Sequence, residues 1–99
     1  MTFAFIIMGP FDEELDQAAI HDGSARLIGV ANLQQACQAA RRLQQAGIGC
    51  IELCGAFGPE GAQAVIEATQ NQIPVGYVTH LPQQDALYAS KFGTAAIKK

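Results

Sequence analysis

Four short apolar runs, separated by stretches of helical period, constrain this chain more than any other feature. They are residues 3–8, 26–31, 48–54 and 73–79. A continuous apolar run of this length reads as a strand buried on both faces. The segments between the runs are long enough for crossover connections. The alternation predicts an α/β fold: a small parallel sheet of about four strands with flanking helices, joined in right-handed βαβ units. Four such units are also half of an eight-unit barrel, so half of a βα barrel is the alternative.

The helix after the second run carries the clearest signals. Asn32 and Gln35 have capping-box spacing, in which each side chain satisfies a backbone N–H of the other. Leu33, Ala36, Cys37, Ala40 and Leu43 make one apolar stripe, and Gln34, Gln38, Arg41, Arg42 and Gln45 cover the opposite side. Gly47 is placed to end the helix in the left-handed conformation. Gly58-Pro59-Glu60 opens a second helix, with Ala62, Val65, Ile66 and Thr69 facing inward. Pro82, Asp85 and Lys91 bracket a third, which Gly93 stops. Residues 81–99 therefore read as a C-terminal helix and a loosely held tail. Residues 11–24 admit two readings. Asp12 caps a short helix through Ala18-Ala19, or Asp22-Gly23 is a hairpin turn before the next strand. The helix is preferred.

Ninety-nine residues make one domain, residues 1–99. A hydrophobic share of 49% against 15% charged leaves little for a charged coat, which fits a homo-oligomer or a sheet buried on both faces. The net charge of −3, with no basic cluster beyond Arg41-Arg42 and Lys98-Lys99, argues against a nucleic-acid partner. The first apolar run is too short to span a membrane and has no basic residue before it, so neither a membrane partner nor a leader is expected. Cys50 and Cys54 lie in one strand, roughly 13 Å apart at about 3.3 Å per residue. That is too far for a disulfide or a shared metal ion. Reduced thiols fit a cytoplasmic protein. No dinucleotide fingerprint is present, and no cofactor is expected.

Parallel α/β sheets place ligands outside the carboxyl ends of their strands. Those ends supply Met8-Gly9-Pro10, Asn32, the stretch from Glu52 to Gly58, and Thr79-His80. In the third strand Cys50, Glu52 and Cys54 are expected to face one way and Ile51 and Leu53 the other. A carboxylate within a strand is paired, hydrogen-bonded or protonated. Glu52 is thus either a structural tie or a general acid/base. Tyr77, on the neighbouring strand, is the expected partner for it. Cys54 is a candidate nucleophile, with His80 as its base; the competing reading makes Cys54 a small apolar filler. Cys37 and Cys50 read as core, and His21 as loop. Gly55, Gly58 and Pro59 resemble an anion-cradling turn, although a tight strand-to-helix turn is the simpler account and Glu60 would repel an anion. Phe57 is expected to be a lid over a pocket or an oligomer contact. The candidate ligand-lining residues are accordingly Gly9, Asn32, Gly55, Phe57, Gly58 and Tyr77, beside the candidate catalytic trio Glu52, Cys54 and His80.

The segment Ile51-Glu52-Leu53-Cys54-Gly55-Ala56-Phe57-Gly58-Pro59 also looks familiar. With Ala4-Phe5-Ile6-Ile7-Met8-Gly9-Pro10 and Pro74-Val75-Gly76-Tyr77-Val78, it resembles a family of small bacterial and archaeal α/β proteins known as a domain of unknown function. The resemblance covers most of residues 1–80 and is most specific in the Glu-Leu-Cys-Gly-x-Phe-Gly segment. It implies a stand-alone prokaryotic domain and directs functional interest to residues 52–58. It implies no activity, cofactor or catalytic residue.

The leading expectation is a homo-oligomeric small-molecule binding domain, or a small enzyme working by acid/base or thiol chemistry. The alternative is a non-catalytic assembly or regulatory module in which the turn from Glu52 to Glu60 is a subunit contact.

Overall fold

The apolar runs do pair into a sheet, with one strand more than expected. The computed structural model describes residues 1–93. Its elements are β1 (Phe3–Met8), β2 (Gln17–Ile20), β3 (Ala25–Val30), α1 (Leu33–Gln45), β4 (Cys50–Leu53), α2 (Gly58–Ala68), β5 (Val75–Tyr77), a 3₁₀ turn (Pro82–Gln84) and α3 (Asp85–Phe92). The strands lie in the order β2-β3-β1-β4-β5. β1, β3, β4 and β5 run parallel, while β2 pairs antiparallel with β3 at the edge. The sheet is mixed, not purely parallel. The tail beyond residue 93 lies outside the described residues.

Residues 11–24 form the hairpin and not the preferred helix. Two aspartates close a turn ahead of it: Asp12 Oδ1 accepts from Glu14 N and Leu15 N, and Asp16 Oδ2 accepts from Asp12 N at 2.7 Å. Ala18 and Ala19 then pair with Leu27 and Arg26. His21 and Asp22 both have positive φ (49° and 55°), as a type I′ turn requires, and Gly23 follows at 83°. Ladder hydrogen bonds along four residue pairs outweigh the modest helix preference of a short alanine-containing segment.

α1 holds close to expectation. Asn32 Oδ1 accepts from Gln35 N at 2.9 Å. The return bond goes one residue further back than a capping box places it, because Gln35 Oε1 accepts from Ala31 N at 2.8 Å. Gly47 has φ +88°, and Ile48 N reaches back to Leu43 O, as in a left-handed helix end. α2 opens on Gly58-Pro59 with Glu60 in its first turn. Gln44 Nε2 donates to Thr69 O and ties the two helices.

Both helices pack on the same face, for a topological reason. The β3-to-β4 and β4-to-β5 crossovers step in one direction across the sheet, so right-handed connections leave α1 and α2 on one side. Between them and the sheet, Ala4, Ile6, Val30, Ile51 and Leu53 of the strands and Val65 of α2 are sealed from solvent. Each large aliphatic among them contributes about 2 kcal/mol by burial. The β1-to-β3 connection steps the other way. A helix there would cover the opposite face, but the chain instead makes β2, and among the described residues that face is left without a layer. Among the described residues no helix is long and apolar enough to cross a membrane.

Candidate functional site

Side chains alternate along each strand, and directly paired residues share a face. Register therefore assigns the uncovered face. It carries Phe3, Phe5 and Ile7 of β1, Ala25 and Leu27 of β3, Ala18 and Ile20 of β2, Cys50 and Glu52 of β4, and Gly76 of β5. Phe3, Leu27 and Ile20 are 40%, 42% and 69% exposed. Near one end Phe11 folds over Gly29, where a β-carbon would meet its Cβ at 2.8 Å.

Glu52 stands on this apolar face, half-buried. It pairs with Phe5 on one side and Gly76 on the other. Its carboxylate lies over Gly76, and the Cys50 thiol donates to its Oε2 at 4.0 Å. Among the described residues no Lys, Arg or His forms an ion pair with it. Burial, reinforced by the Glu52 charge, pushes the Cys50 thiol above its ordinary pKa. That environment disfavours the thiolate, so the face offers a carboxylate and a protonated thiol side by side.

The other predicted residues fall elsewhere. The strand ends at Leu53, so alternation does not carry to Cys54; that side chain packs against the helix-side core and accepts from Met8 N at 3.3 Å. Cys37 packs against the same core, and burial raises its thiol pKa, offset in part by Arg41. Cys50, expected in the core, is instead on the uncovered face. His80 Nε2 pairs with Asp85 Oδ1 at 2.7 Å, and its ring stacks on Tyr88 with centroids 3.8 Å apart. Glu52 thus meets the Cys50 thiol, Cys54 meets Met8 N and His80 meets Asp85. Tyr77 is in register with Leu53 and turns toward the helices, one residue out of phase with the role expected of it. Phe57 is 5% exposed and lies in the core, its ring packed close to Gly61, so it is neither a lid nor a surface contact.

Gly9, Asn32 and Gly55 do lie at the carboxyl ends of strands, but with structural duties in two cases. Gly9 N donates to Val30 O beside the Phe11 ring, and Asn32 caps α1. Gly55 is exposed in its turn, and Gly58 is buried with φ +63°. Among the described residues no three His, Cys, Asp or Glu side chains gather as a metal site.

Sequence reasoning passed over Phe3, Leu27, Ile20, Cys50 and Gly76. The signal was present: β1 is apolar on both faces, which demands cover on both, and the layers of the described residues supply one. Among the described residues, fold and face together define a small wound α/β fold with one helical layer and one apolar sheet face that no helix covers. A family model described as a family of unknown function (DUF6506) matches residues 1–93, and the chain belongs to that family. Comparison with curated proteins and with solved structures gave no significant match.

Proposed function

We propose that the protein is a small-molecule binding domain that works as a homo-oligomer, with its ligand site on the uncovered face around Glu52. One observation carries this reading: a carboxylate without a cationic partner among the described residues stands on an otherwise apolar surface. Ligand sites are mostly apolar with a few placed polar groups, and this face has that composition. A carboxylate accepts hydrogen bonds and attracts positive charge. The ligand class it favours is a small molecule with an amine or amide N–H donor and a flat apolar body that rests on Phe5. Any chemistry belongs to Glu52 as proton acceptor. Cys54 and His80 have other partners and are left out of the site.

Thermal shift with panels of small amines, amides, neutral aromatics and anions tests this. Amine- or amide-bearing ligands raise the melting temperature of the wild type and not of Glu52→Gln. Stabilisation by anions, or an equal shift in both proteins, overturns the reading.

The second reading, a non-catalytic assembly module, draws on the apolar extent of the same face. It moves the subunit contact from the Glu52–Glu60 turn, where Phe57 is internal, to the face itself. Under that reading no ligand stabilises the protein and Glu52→Gln alters only the oligomer.

A further inference from the structure

We propose that the uncovered face is closed by helix α3 of a second copy of this chain, in reciprocal exchange. The proposal rests on the homo-oligomer part of the reading above and names the occupant of the face.

All-parallel sheets occur almost only with both sides covered, and four of the five strands here run parallel. The described residues supply three helices, and two of them cover one side. The third has no buried residue. Among the described elements it packs closely on the 3₁₀ turn before it, where the His80–Asp85 pair and the Tyr88 ring anchor it. Leu81, Leu87 and Phe92 on this segment are 64%, 58% and 70% exposed. Among the described residues the chain thus carries a sheet face that lacks a helix, and a helix with exposed Leu87 and Phe92 that lacks a sheet.

The areas agree. At roughly 200 Å² for each large apolar residue, the exposed parts of Phe3, Ile20, Leu27, Leu81, Leu87 and Phe92 come to about 700 Å². A stable dimer covers about 800 Å² per partner. Exchange of one terminal element between identical copies is a low-cost route to a two-fold dimer. One helix spans about two strands' width. It would seat on the Phe3–Leu27–Ile20 side and leave Glu52 as one wall of a cleft between subunits.

Face-to-helix contact is heterologous within each half of the dimer, and that makes it separable from a sheet-to-sheet dimer. The wild type, Leu27→Lys and Leu87→Glu are run by sedimentation velocity, alone and as a 1:1 mixture of the two variants. Both positions are exposed within the chain, so circular dichroism should match the wild type. The wild type is expected at twice the chain mass and each variant alone at the single mass. The mixture should regain the doubled mass, because an unaltered face meets an unaltered helix in one half and lysine meets glutamate in the other. A monomeric wild type overturns the proposal. So does loss of dimer in Leu27→Lys alone, which marks sheet-to-sheet packing, or in Leu87→Glu alone, which marks helix-to-helix packing. Failure of the mixture to recover overturns it as well. None of these masses depends on whether Glu52 binds a ligand.

Discussion

The Glu52 carboxylate lies across the α-carbon of Gly76 on the neighbouring strand, with Oε1 2.6 Å from the point a β-carbon would occupy. The missing side chain is what lets the carboxylate lie flat against the sheet. Register places the two residues opposite one another, so no other position on β5 could serve.

Gly76→Ala separates folding from binding. The clash is with the far end of a flexible side chain, which swings aside, and alanine suits a strand better than glycine by about 0.5–1 kcal/mol. The melting temperature should stay within a few degrees of the wild type or rise. The stabilisation by amine- or amide-bearing ligands should weaken as it does in Glu52→Gln, read by the same thermal shift.

Gly29→Ala should behave in the opposite way. A β-carbon there meets Phe11 Cβ at 2.8 Å and the Asp16 carbonyl at 3.2 Å, and neither is the end of a flexible chain. Overpacking of this kind costs about 1–3 kcal/mol. Urea unfolding should show a lowered midpoint, and hydrogen exchange should show the loss concentrated in β2 and the turn before it.

Asn32→Ala removes the acceptor for Gln35 N. Loss of such a cap costs about 1 kcal/mol. Gln35→Ala strands the Ala31 N–H at an exposed position, where water replaces the side chain, and should cost less. Chemical denaturation of the two variants side by side checks the order.

Cys50 reports on Glu52. Burial first, and the nearby carboxylate second, raise its pKa, so it is mostly protonated at neutral pH. Alkylation proceeds through the thiolate. Its rate at Cys50, followed by peptide mass spectrometry, should climb with pH beyond the range where an ordinary thiol has levelled off. Glu52→Gln removes the repulsion, lowers the pKa and speeds alkylation at pH 8. The raised pKa also means that the native state holds this proton longer than the unfolded chain does. Its contribution to stability is therefore present below the unfolded thiol's pKa and lost as pH rises through the folded value.

Much of the fold was legible because its signals are local. The Asn32 cap, the Gly47 helix end and the Gly58-Pro59 start all act within four residues, and each appears where its residues imply. Glu52 was legible too, since a lone acid in an apolar strand requires an explanation. Tyr77 and Cys54 were not. Their faces depend on where β5 sits against β4 and where β4 ends, and a slip of one residue reverses every side chain.

The sequence by itself determined α1, α2, α3 and the parallel strands, through caps, periodicity and apolar runs that need no distant partner. Tertiary structure alone decided residues 11–24. Their local preferences are nearly balanced between helix and hairpin, and the free edge of β3 tips them to β2. That choice removes the one connection whose handedness would have covered the second face. The bare face with Glu52 on it follows from long-range strand pairing.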